Sequence, residues 1–162
     1  MQATGAGVIS FDEFVHARLP HLLRLGRALT GDEDRGADLV QDALVRVLPR
    51  WDRISSADPE GYVRRVMVNR NISVWRSLRR ERLAADPPER GVEDTPRDQA
   101  LWAAMGKLPP RQRTVIALRY LADQTEAQTA ALMGCSVGTV KSQANAAMRT
   151  LHDLLDDPEE TR

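Results

Sequence analysis

From Phe11 onward the apolar residues fall three and four apart, and nowhere do they alternate. That spacing restricts the chain to helices packed on helices, because a half-buried strand needs a period of two. Phe11, Phe14, Val15, Leu22, Leu25 and Leu29 make one stripe, and Val40, Leu44, Val47 and Trp51 make a second. The punctuation agrees. Ser10 and Glu13 have the spacing of a capping box, and Thr30-Gly31 reads as a helix stop. A second helix starts near Asp32 to Asp34, and Ser55-Ser56-Ala57 is a loop. Asp58-Pro59 then pairs an N-cap with a proline at the first helical position and opens a helix to about residue 82. Pro20 falls inside the first stripe and is expected to kink or split it. Aromatic residues are only 4% of the chain, which argues against a β-sandwich.

Composition removes several classes of function. Lys+Arg and Asp+Glu both number 23, so any basic surface must be local rather than global. No run of 18 apolar residues is present, and the first residues lack a charged n-region and apolar core. With Cys135 as the single cysteine, an internal disulfide and a cysteine-based zinc site are excluded. His16, His21 and His152 are dispersed and read as solvated surface. No glycine-rich phosphate loop and no nucleophile–base pattern stands out. The expectation is a cytoplasmic, non-enzymatic protein with neither cofactor nor metal.

Residues 83–96 change character, with Pro87, Pro88, Gly91 and Pro96 among several acids. They read as a linker between a unit at 10–82 and a unit at 97–155, with an acidic tail at 156–162. Extended, such a linker reaches roughly 45 Å, more than one turn of duplex DNA at about 34 Å. The two units could therefore occupy separate DNA sites. After the linker, helices are expected from Asp98 to Lys107, from Pro110, from Glu126 to Met133, and from Val137 to about Leu155.

Two stretches carry chemical information. Tyr62 to Arg80 holds six arginines and no acid. On a helix, Val63, Met67, Val74 and Leu78 share one face, and Arg65, Asn69, Ser73, Arg76, Arg79 and Arg80 the other, with Trp75 on the flank. Arginine pairs with phosphate, Asn and Arg read base edges, and an aromatic ring stacks on an unpaired base. The plain alternative is a solvated helix face, but such a face would carry acids at i to i+4 spacing. The second stretch, Glu126 to Asn145, reads as a helix-turn-helix. Ala130 is small at the crossing, Gly134 supplies the turn, Ser136 caps the next helix, and Val140 returns to the core. Ser136, Val137, Thr139, Lys141, Ser142, Gln143 and Asn145 are left facing outward, small and polar as a major-groove helix requires. The alternative is an ordinary helical hairpin.

Leu108 to Arg113 and Gly134 to Ser142 resemble region 4 of extracytoplasmic-function (ECF) sigma factors. Asp38 to Val47 resembles the core-binding part of region 2, and Tyr62 to Asn71 with Trp75-Arg76 its promoter-melting part. The opening Phe11-Asp12-Glu13-Phe14-Val15 and the Arg70 to Trp75 segment look most like the SigE-type actinobacterial branch. The three motifs stand in family order and spacing over about residues 10–155. The resemblance implies an all-α protein of two small helical domains that binds core RNA polymerase and promoter DNA. The resemblance leaves room for an anti-sigma factor as a further partner, without deciding whether one exists. It implies that Asp38, Leu39, Gln41, Asp42, Val45 and Arg46 meet polymerase. It places Arg65, Asn69, Asn71, Trp75, Arg76, Arg79 and Arg80 on the −10 element. It places Arg113, Ser136, Val137, Thr139, Lys141, Ser142, Gln143 and Arg149 on the −35 element. Trp75 stands where many members carry an acid, Gln128 and Thr129 replace commoner acidic and branched residues, and Asn145-Ala146 stand where a basic residue is frequent. Two other readings are a stand-alone helix-turn-helix regulator and a helical adaptor. The first would bind DNA without polymerase, and the second would show no salt-sensitive DNA binding.

Overall fold

The computed structural model describes residues 8–81 and 95–156, side chains of 78–81 excepted. Most of the expected linker and all but the first residue of the expected tail lie outside the described residues. Among the described residues every regular element is helical.

Helix α1 (Phe11–Thr30) begins at the expected capping box. Ser10 Oγ accepts from the Glu13 amide at 3.2 Å, and Glu13 Oε2 accepts from the Ser10 amide at 3.4 Å. It ends at Gly31, whose φ of 76° is left-handed and whose amide donates to the Arg27 carbonyl at 2.8 Å. Pro20 does not split it. Pro20 and His16 are both exposed, so the carbonyl that loses its amide partner lies on the water-facing side. Helix α2 (Glu33–Val47) is capped by Asp32, whose Oδ1 accepts from the Arg35 amide at 2.8 Å. The two helices cross at Gly26 and Gly36. A Cβ on Gly36 would lie 2.5 Å from the Arg27 amide nitrogen, and one on Gly26 2.6 Å from the Gly36 carbonyl oxygen.

The second stripe is broken where the sequence reading ran it through. Leu48–Arg50, with Pro49, forms a 3-10 turn, and Trp51 opens the short helix α3 (Trp51–Ile54). Trp51 still packs inward, with ring centroids 5.3 Å from Phe11 and 5.0 Å from Phe14, and its Nε1 donates to the Ile9 carbonyl at 3.0 Å. Helix α4 (Pro59–Glu81) starts at Asp58, whose Oδ1 accepts from the Gly61 amide at 3.0 Å. Val63, Met67 and Val68 are fully buried. Val74, expected on that same face, is exposed instead. Among the described side chains of α4, Asn71 takes the last buried position, against α1, and Val74 one turn on lines an interhelical cavity; that of Leu78, expected on the same face, lies outside the described residues.

In the second half, α5 (Pro96–Lys107) starts two residues before the expected Asp98, because Thr95 caps it and Pro96 occupies its first turn. Helix α6 (Pro110–Ile116) runs on into a π-helical turn at Ala117–Leu121. Helices α7 (Glu126–Met133) and α8 (Val137–Asp156) follow. Ala104, Met105, Leu108, Ile116, Ala117 and Leu118 pack into the same core as α1, α2 and α4. The halves set apart in the sequence are therefore joined along one continuous apolar interior. The turn between α7 and α8 keeps a small cluster of its own, Val115, Ala130 and Val140.

Candidate nucleic-acid and polymerase interface

The basic helix forms as its pattern predicts. With Val63 and Met67 buried, the pitch of α4 sends Arg65, Asn69, Ser73 and Arg76 to the surface. Arg79 and Arg80 lie on the last turn of α4, but their side chains fall outside the described residues. Of the arginines on this helix, Arg70 is paired, its Nε lying 2.8 Å from Asp42 Oδ2. Trp75 is half-buried, with Nε1 inaccessible and unpartnered among the described residues.

The helix-turn-helix is built by local capping. Thr125 Oγ1 accepts from the Gln128 amide at 3.0 Å, and Gln128 Oε1 accepts from the Thr125 amide at 2.9 Å. That reciprocal box explains why glutamine suits position 128, and the T-x-x-Q spacing announces it in the sequence. Thr129 is fully buried instead, with its hydroxyl unpartnered among the described residues. Gly134, at φ 67°, makes the turn, and Ser136 Oγ accepts from the Thr139 amide at 3.1 Å to cap α8. Val140, Ala147 and Leu151 anchor α8 inward. Ser136, Val137, Lys141, Ser142 and Arg149 are exposed, while Thr139 and Gln143 are half-buried and line a small cavity together with Trp75 and Arg76 of α4.

On α2, Asp38, Gln41, Val45 and Arg46 are exposed, and Val45 is 64% so, high for an aliphatic side chain. Asp42 is half-buried between Arg46 at 3.3 Å and Arg70 at 2.8 Å. Leu39 points into the core rather than outward.

Several of these residues meet across a cavity of about 930 Å³ between the halves. Asp38 and Asp42 of α2, Asn71 and Trp75 of α4, Arg113 of α6 and Gln143 of α8 all line it. Asn71 is buried and its Nδ2 donates to the Leu29 carbonyl at 3.2 Å. Arg113 is half-buried. Its Nη1 donates to the Thr30 carbonyl, and its Nη2 to the Leu108 carbonyl at 2.9 Å. Burial, and secondarily the neighbouring Arg35, hold its pKa below the ordinary guanidinium value. Two further contacts join the halves: Arg27 lies 4.3 Å over the Trp102 ring and Arg111 5.9 Å from the Trp75 ring centroid. No sequence signal announces these pairs, because partners tens of residues apart leave no periodic trace.

Residues 14–81 match the family described as Sigma-70 region 2, and residues 98–151 match Sigma-70, region 4. The chain is 36% identical over 155 residues to the RNA polymerase sigma-E factor of Streptomyces avermitilis, covering 92% of this chain and 87% of that protein. It is 28% identical over 167 residues to the ECF RNA polymerase sigma factor SigE of Mycolicibacterium smegmatis, covering 94% of this chain and 65% of that one. The chain belongs to the ECF sigma factors. Among solved structures it resembles the sigma factor RpoE of Bartonella quintana, determined in complex with the anti-sigma factor NepR. The TM-score is 0.68 and the identity 26%, over 90% of this chain and 96% of that one. As a member of this family the chain is an RNA polymerase sigma factor that directs transcription from promoters. Among the described residues no helix is long and apolar enough to cross a membrane.

Proposed function

We propose that α4 recognises and opens the −10 element, that α8 reads the −35 element, and that the exposed face of α2 docks on core RNA polymerase. The observation that carries this reading is the exposed row Arg65, Asn69, Ser73 and Arg76, with Trp75 at its edge, on a helix segment free of acids. Opening DNA costs about 1.4 kcal/mol per stacking step. A flanking aromatic returns roughly 1–3 kcal/mol per unpaired base stacked on it. Trp75 is the candidate for that role. Arg79 and Arg80 extend the same basic stretch. On α8, the exposed Ser136, Val137, Lys141, Ser142 and Arg149 supply donors and a methyl-bearing surface for the major groove, with Thr139, Gln143 and Arg113 behind them. On α2, Asp38, Gln41, Val45 and Arg46 are the outward groups, with Asp42 half-buried beside them. The protein acts in the cytoplasm, has no catalytic activity of its own, and is a candidate for control by an anti-sigma factor.

Run-off transcription with purified core polymerase on a pool of genomic promoter fragments tests the reading. New, discrete transcripts that require this chain are expected. No co-elution with core enzyme would overturn it. In the same assay Trp75→Ala is expected to lower open complex, read as permanganate reactivity of promoter thymines, with little loss of initial binding. Unchanged reactivity would remove Trp75 from the opening step.

A further inference from the structure

We infer that Arg113 is an interdomain latch whose seat on α1 and whose contact with promoter phosphate are mutually exclusive. The inference rests on the assignment of Arg113 to the −35 element proposed above. Its guanidinium donates to the Thr30 carbonyl at the C-terminus of α1, where the helix dipole favours a cation, and to the Leu108 carbonyl of its own half. The guanidinium lies close against residue 31, so a side chain there would oblige it to shift. A Cβ on Gly31 would lie 2.5 Å from Arg113 Nη1 and 2.9 Å from Cζ. Seated there, Arg113 is desolvated beside a second cation, Arg35, so the same charge gains by moving to an anion. The surfaces it holds together are those that must separate. Thr139 and Gln143 of the reading helix share a cavity wall with Trp75 and Arg76 of the melting helix. Thr139, Gln143 and Trp75 stay half-buried there while Arg113 is seated, although Arg76 is exposed.

The consequence is a competition. Phosphate at the −35 site withdraws Arg113 from Thr30, and parting of the halves frees Trp75 for the −10 element in the same event. Closure in turn lowers apparent DNA affinity by the fraction of molecules that are open.

Gly31→Ala tests the latch without touching a DNA-facing residue. The left-handed backbone at position 31 is strained by alanine whether the halves are joined or apart, but the clash with Arg113 arises only when they are joined. Arg113→Lys, which keeps the charge and loses the forked donor pair, is the second variant should Gly31→Ala fail to fold. Dyes are placed at Asp52→Cys and Asp153→Cys, both exposed, in a Cys135→Ser background of the full chain, and single-molecule energy transfer is recorded. The parent should be mainly in a high-transfer state, and each folded variant should populate a low-transfer state at least about fivefold more. Gly31→Ala should bind a random-sequence duplex of about 20 base pairs more tightly by the same factor. Transfer distributions that overlay, or a parent already in low transfer, would overturn the latch. A shifted distribution with unchanged duplex affinity would overturn the competition. Run-off transcription by the parent is unaffected by either result, so failure of the latch and failure of the functional reading are distinguishable.

Discussion

Asn71 shows how a single side chain can serve the fold before it serves a ligand. The resemblance places it on the −10 element, yet its amide is buried and spends a donor on the Leu29 carbonyl. Asn71→Ala should cost about 1–3 kcal/mol, since it leaves a buried carbonyl unpaired. Urea denaturation checks this, and a change under about 0.5 kcal/mol would mean the bond contributes nothing net. Asn71→Asp, of equal size but able to donate only when protonated, should also destabilise at neutral pH. The family resemblance singled out Asn71, but helical pitch alone does not say that α1 ends opposite it. Ser136, Gly134 and Val140 were legible for the opposite reason. Their roles are set by neighbours within a few residues, and local capping and turn rules are written in the local sequence.

At the scale of elements, the close crossing of α1 and α2 sets two glycines against each other and gives a sign test. Gly36→Ala raises intrinsic helix propensity by about 1 kcal/mol. Its new Cβ, however, meets backbone atoms of α1 at 2.5 to 2.8 Å, so the helices must part. Overpacking of this kind typically costs about 1–3 kcal/mol, and a net loss of thermal stability is expected. Gly138 in α8 is the converse. The nearest atom to its Cβ would be Ser136 Oγ at 3.8 Å, so Gly138→Ala should raise stability by up to about 1 kcal/mol. Melting temperatures that rise for both variants would show that propensity, and not the crossing, decides. The helices themselves were largely readable from apolar spacing and caps. The features missed were the 3-10 turn at Leu48–Arg50 and the exposure of Val74, while Pro20, expected to kink or split α1, does not split it. In each, what lies opposite the residue in space decides the outcome.

For the whole molecule, the sequence shows two recognition units and a stretch of linker composition, and from these alone one expects independent bodies. The shared interior of α1 with α5 and α6 was not legible, because contacts such as Arg113 to Thr30 join residues 83 apart. That interior has a thermodynamic corollary. If polymerase must hold the two readers on separate promoter elements, its apparent affinity is scaled by the open fraction. Gly31→Ala should then bind core polymerase more tightly by the factor that its low-transfer population gains, measured by equilibrium titration. Equal affinities would place the opening after polymerase binding. The Gly31–Arg113 pair also bears on modularity. A hybrid that joined this region 2 to the region 4 of a factor without the arginine would inherit both reading surfaces and lose the part that couples them. Such a chimera would keep its promoter specificity while its threshold for engagement was reset.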